Sequence, residues 1–414
     1  MKRIFYILAA AALMAAAASC SYERKSFPMQ NAEALSTDFA ILAFVPQDAP
    51  AAFCLNACAA GLEKVYRKDP VDSLEFGTLS GAKAVLSFFQ DGKLVPCLYI
   101  DCAGVDAAAV EEVSAALADK GLKGKVLEKD GLKVLFLTPS DYALANQEYS
   151  MASGKSILNA AGFTDALSHA PVAQGVTMFF NNKESAKVPA KVTGGEVARQ
   201  KLSPFLSSAA AWTVIADEDE KTYDIAPFTG GDAYYFLEVF SSVKPEASLI
   251  GEVMPDLTSF MLDMPVSSWK QLRRNIEAWQ KARSKRPAAG ASDAIAWAKM
   301  VNPKEFAFLH FGRFKVVVVR AGARFKEHEP AVNPYQGAVT ALLGNAFQLN
   351  DDSYFAVTEK WIVIGAEDAV KAFLVTNRKA DLPPFAGKSI NYAVYRPARA
   401  LWDEGGLIRL QFEK

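Results

Sequence analysis

Side chains able to do chemistry are few in this chain, and most lack the partners that a mechanism needs. Three histidines are present. His169, in "ALSHAPV", stands at the end of a predicted helix, where an imidazolium suits the helix dipole. His310 lies inside the apolar run "FAFLHFGRF", the setting of a histidine packed in a strand. His328 stands between Glu327 and Glu329. Neighbours in sequence do not converge on one metal ion without distant ligands, so this stretch is read as a solvated loop. Gly-Lys-Ser occurs at residues 154–156 and at residues 387–389. A phosphate-binding loop needs another glycine before each triplet, at the positions held by Tyr149 and Leu382, so both copies predict turns before strands. No serine has the strand–Gly-x-Ser-x-Gly–helix context of a nucleophile elbow. The acidic run "DEDEK", residues 217–221, lacks the glycine and the spacing of a calcium loop and reads as a hairpin turn.

Cys54, Cys58, Cys97 and Cys102 form the spacings "CLNAC" and "CLYIDC". Paired zinc ligands usually have two residues between them, which neither spacing provides. Buried free thiols are the first reading; in an oxidising compartment a disulfide between the two regions is the alternative, with the four as candidate partners. No catalytic residue, cofactor or metal is assigned. One surface does carry concentrated charge. "SSWKQLRRNIEAWQKARSKRP", residues 267–287, puts Trp269, Leu272, Ile276 and Trp279 on one helical face. Lys270, Arg273, Arg274, Lys281, Arg283, Lys285 and Arg286 are set against Glu277 alone. This predicts a helix covering a sheet with its tryptophans, ended by Pro287 and Gly290, with a basic face open to an anionic partner.

Cys20 differs from the other thiols in its surroundings. Lys2 and Arg3 precede an apolar run from Ile4 to Ala18, too short to span a bilayer and suited to a signal-peptide core. It ends in "AASC", small residues of the kind a lipoprotein signal peptidase accepts before a lipidated cysteine. Ala17 stands where a leucine is usual. The stretch "SYERKSFPMQNAEALSTD" that follows is polar and mixed in charge, with Pro28, and predicts a flexible tether. Ser21 after the cysteine resembles the default sorting of Gram-negative lipoproteins to the outer membrane. The expectation is a membrane anchor at Cys20.

The elements that would position these residues show an internal pattern. Half of the chain is apolar and about a fifth is charged, as in a globular protein with real cores, and no segment after the leader offers eighteen uninterrupted apolar residues. The net charge of −1 points to no nucleic-acid partner. Residues 82–117 read as a hairpin turning at Asp91-Gly92, then a helix capped by Asp106 and ended near Gly121. A second hairpin follows, turning at Asp130-Gly131. Near residue 208 the order returns, with Asp232 in the place of Asp106 and Pro265 in the place of Pro139. A third copy starts at Glu305, with Gly312 in the turn, a short helix in "GAVTALLGN", and a closing hairpin and helix in "SYFAVTEKWIVIGAEDAVKAF". Linking stretches such as "APVAQGVTMFFNNKESAKVPA" and "GKSINYAVYRPARALWDE" each read as a strand and a short helix.

The predicted fold class is therefore α+β: repeated hairpin–helix–hairpin modules, each a small antiparallel sheet covered by a helix. The expected division is a leader over 1–20, a tether over 21–39, and modules over 40–186, 187–300 and 301–414. The phrase "VPQDAPAAFCLN" resembles the opening of uncharacterised bacterial envelope proteins and lipoproteins, whose mature domain begins with a Val-Pro-x-Asp-Ala phrase and a strand. "EKWIVIGAEDAVKAF" resembles their closing phrases. The resemblance implies an envelope protein and brings no catalytic residue with it. The functional expectation is an outer-membrane lipoprotein facing the periplasm, with a non-enzymatic binding or assembly role. Its expected partners are the membrane, through the acyl anchor, and another envelope protein or an anionic glycan or lipid. An envelope hydrolase with an unassigned site, or a carrier of an apolar ligand, is the alternative.

Overall fold

The computed structural model describes residues 39–66, 74–90, 94–160, 163, 176–187, 206–216, 222–240, 242–284, 291–322, 331–335, 353–358, 360–379 and 381–412. They fall into two compact units that divide between Gly230 and Gly231.

The first unit is built on eight antiparallel strands: β1 (Ala51–Leu55), β2 (Ala84–Gln90), β3 (Leu94–Asp101), β4 (Lys123–Lys129), β5 (Leu132–Thr138), β6 (Val176–Asn181), β7 (Ala211–Ala216) and β8 (Thr222–Phe228). Their order across the sheet is β4-β5-β3-β2-β1-β6-β7-β8. The β4–β5 turn is dictated locally. Asp130 and Gly131 both take positive φ, 52° and 79°, the conformation a two-residue hairpin needs. Helices α1 (Cys58–Tyr66), α2 (Ala107–Ala118), α3 (Asp141–Ala152) and α4 (Asn182–Ser185) join these strands. Ser140 starts α3 by accepting the Ala143 N–H on its side chain.

In the second unit a short ribbon of β9 (Glu246–Ala247) and β16 (Ser389–Ile390) stands apart from a nine-stranded antiparallel sheet. The sheet contains β10 (Thr258–Pro265), β11 (Pro303–Phe311), β12 (Phe314–Ala321), β13 (Asn333–Pro334), β14 (Tyr354–Thr358), β15 (Trp361–Gly365), β17 (Tyr392–Arg396), β18 (Arg399–Asp403) and β19 (Ile408–Phe412). Their order is β13-β14-β15-β12-β11-β10-β17-β18-β19. Helices α5 (Trp269–Ala282), α6 (Ala291–Val301) and α7 (Glu367–Val375) belong to this unit. Among the described residues no helix is long and apolar enough to cross a membrane.

This architecture corrects the expected α+β class of hairpin–helix–hairpin modules. Seventeen strands lie in extended antiparallel sheet against seven helices among the described residues, so the molecule is dominated by sheet. The first repeat keeps the order read, with the turn at Asp91-Gly92 outside the described residues and with Asp106 at the start of α2 but making no side-chain cap hydrogen bond. The second does not. Its expected helix after Asp232 is a 3-10 turn, Phe236–Phe240, and Asp232 instead accepts the Tyr234 N–H. Its expected closing hairpin is a 3-10 turn, Ile250–Glu252, and the single strand β10. The reason is visible in "FMLDMPV": a strand apolar on both faces is buried on both faces and takes neighbours on both edges. β10 accordingly pairs with β11 on one side and β17 on the other. The short helix expected after β17 is also absent, because the chain turns back at Pro397-Ala398 into β18. The helix expected in "GAVTALLGN" lies outside the described residues.

Each unit has its own apolar core. In the first, Phe44, Val85, Tyr99, Val134, Phe136, Ile157 and Phe179 cluster; in the second, Met261, Leu309, Val318, Trp361, Phe373 and Trp402. One polar side chain ties the first core together. Gln147 of α3 accepts the Tyr99 hydroxyl proton at 2.7 Å and donates to the Phe44 carbonyl at 2.7 Å, all buried. Gln147→Leu leaves both groups unpaired, at about 1–3 kcal/mol each. The expected result is a lower urea midpoint with unchanged slope, read by circular dichroism; an unchanged midpoint contradicts this account of the core.

Candidate functional site

α5 begins at Ser268, whose side chain accepts the Gln271 N–H. Trp269, Leu272, Ile276 and Trp279 are buried, as their spacing requires. They seat the helix against the 3-10 turn Phe236–Phe240, with the Phe236 and Trp279 rings 4.7 Å apart. Gln271 donates to Asn275 at 3.0 Å, and Asn275 donates to the Ser242 hydroxyl at 3.2 Å, which fixes the rotation of the helix further.

The opposite face holds the cations unevenly. Lys270, Arg274 and Lys281 are exposed. Arg273 is paired with Glu277 one turn on, and Arg283 lies over the Tyr234 ring at 4.7 Å from its centre. Lys285 and Arg286 lie outside the described residues. The surface available to an anion among the described residues is thus narrower than the run of basic residues suggests.

Cys20, the tether, His169, His328 and the acidic run 217–221 all lie outside the described residues. Cys54, Cys58, Cys97 and Cys102 are free and buried in the first unit. Burial pushes the first three thiols up to about 12 and raises Cys102 as well, which removes the thiolate that nucleophilic or redox chemistry uses. Lys155 and Lys388 each follow a glycine of positive φ in a turn; Ser389 opens β16, while Ser156 leads into a 3-10 turn rather than a strand.

A third cluster escaped the sequence, because its members lie on separate elements of the second unit. Asp263 of β10, Glu305 of β11 and Arg320 of β12 meet in the interior, with Ser248 from the stretch after β9. Asp263 and Glu305 are wholly inaccessible to solvent, at 0% exposure each. Ser248 donates its hydroxyl to Asp263 at 2.6 Å, the Leu249 N–H bonds Glu305 at 2.9 Å, and Arg320 Nε bonds Glu305 at 2.8 Å. Asp263 Oδ1 meets no donor among the described residues, and the Glu305 carboxyl lies beside it.

Two carboxyls against one guanidinium hold one proton between them, because that proton both removes the second buried charge and satisfies Oδ1. Burial raises both groups: Asp263 moves from 3.8 up to about 7, and Glu305 well above its usual range, with the Asp263 charge adding to it. Paired carboxyls could serve as acid and base, but a substrate cannot reach two groups sealed inside a sheet. Their work is to hold the Ser248–Leu249 backbone onto the sheet. Comparison of the chain with protein families, curated proteins and solved structures finds no match, so the site is read from its own geometry.

A raised carboxyl stabilises the fold fully below its unfolded value near 4 and loses that contribution as the pH rises through about 7. For one proton the slope is about 1.4 kcal/mol per pH unit over that window. Denaturation midpoints of the native chain are expected to fall from pH 5 to pH 8, and those of Asp263→Asn to fall less. Equal slopes in the two proteins contradict the shared proton.

Proposed function

We propose that this chain is a lipid-anchored protein of the cell envelope, held to the outer membrane through Cys20 and facing the periplasm. Its role is to bind or assemble with an anionic partner rather than to catalyse a reaction. The leader, the small residues before Cys20 and the polar tether support the anchor. The observation that carries the binding role is the fixed seat of α5. With Trp269, Leu272, Ile276 and Trp279 buried, the helix cannot turn its charge inward, and Lys270, Arg274 and Lys281 stay presented. Acyl chains already hold such a protein near a surface, so a few exposed cations suffice to select among anionic neighbours.

The test is purification of the full-length chain from its native envelope in mild detergent, with intact mass recorded, beside Cys20→Ala and a Lys270→Glu/Arg274→Glu/Lys281→Glu variant. The expected native product starts at Cys20, carries acyl mass and brings down a reproducible partner. Charge reversal is expected to lower recovery of that partner by about tenfold without removing the acyl mass. An unacylated product starting near Ser19 contradicts the anchor, and undiminished recovery after charge reversal contradicts the binding face.

A further inference from the structure

On the other face of the second unit's sheet, away from the carboxyl pair, side chains of five strands form a transverse row. Lys315 of β12 stands opposite His310 of β11, and His310 opposite Phe260 of β10. The β10–β17 register, Met261 opposite Tyr395, continues the row to Arg396, and Arg396 stands opposite Arg399 of β18. The contacts agree with the register: the Phe260 and His310 rings are 5.1 Å apart, and Arg396 lies over the Phe260 ring at 5.3 Å. At the usual strand spacing the row spans about 19 Å.

Lys315 is exposed, while His310, Phe260, Arg396 and Arg399 are half-buried. None of the four basic side chains has an ion pair with an acidic group among the described residues. Arg396 and Arg399, opposite each other on neighbouring strands, repel. Arg396 is lowered by burial and by Arg399, and His310 by burial, then by Lys315 and Arg396. Two like charges held side by side and partly desolvated raise the energy of the empty sheet, and an anion laid against them relieves it. His310, lowered by burial and by its cationic neighbours, stands between them and Lys315 as a neutral hydrogen-bonding group.

We infer that this row binds an acidic glycan, laid across the strands with its charged groups against Lys315, Arg396 and Arg399 and a hydroxyl within reach of His310. A flexible chain can follow a half-buried line, whereas a flat bilayer would meet its exposed end at Lys315. Phe260, in the middle of the row, gives an apolar ring for a sugar to pack on between the cations. The row is separate from α5 and goes beyond the anchored reading, so either can fail without the other.

The test is calorimetric titration of the full-length chain in neutral detergent with polygalacturonate oligosaccharides at low salt. Saturable binding is expected, weakening with added salt, and about tenfold weaker in Arg396→Gln/Arg399→Gln. Lys120→Gln, exposed in the first unit and outside both proposed surfaces, is expected to leave it unchanged. Should the arginine variant fail to fold, Lys315→Gln at the exposed end serves, with about threefold loss expected. Absence of saturable binding, equal affinity in the row variants, or tighter binding to polyglutamate or to anionic phospholipid vesicles overturns the inference.

Discussion

The position of one strand governs the second unit. From Met261 to Pro265 β10 is buried on both faces, so its peptide groups there cannot turn to water for hydrogen bonds. A buried backbone that leaves N–H and C=O groups unpaired costs about 1–3 kcal/mol for each. The strand therefore needs a partner along each edge. β11 supplies one through Met261 opposite Leu309, and β17 the other through Met261 opposite Tyr395. Two hairpins far apart in sequence, β11–β12 and β17–β18, are thereby joined into one sheet. Separate modules with small sheets would have left β10 with a bare buried edge.

Both charged features of this sheet follow from that insertion, one on each face. On the core side, Asp263 and Glu305 sit two residues out of register on neighbouring strands, near enough to share a proton, with Arg320 opposite Glu305. On the other side, Phe260 carries the row from His310 to Arg396. The pair is closed and structural, and its interactions stay within the unit. The row is half-open, and its repulsion is left for something outside the described residues to offset. Burial thus separates a group that holds the fold from groups that can meet a ligand.

Elements written in short stretches could be read directly. Asp130-Gly131 marks the β4–β5 turn, Ser268 and the Trp269–Trp279 stripe mark α5, and the apolar runs around Gly312 mark the β11–β12 hairpin. Each rests on contacts between residues close in the chain. The expected second hairpin failed because "FMLDMPV" fits a hairpin strand and a central strand equally well until its partners are known. Met261 and Tyr395 are too far apart for any local period to connect them. The same distance hid the carboxyl pair and the cationic row, whose residues look ordinary in their own segments. The α5 surface was visible because one helix carries all of it, although the ion pair with Glu277 and the stacking of Arg283 reduce the charge it presents.

Native-state hydrogen exchange along β10, resolved to single amides, tests this account most directly. A central strand donates alternately to its two neighbours, so the amides of Met261, Leu262 and Asp263 should all exchange slowly, as slowly as those of β11 that face β12. If the amides directed at β17 exchange as fast as those of an exposed edge while those directed at β11 stay protected, β10 is an edge strand. The joined sheet, the shared proton's surroundings and the cationic row would then lose their common foundation.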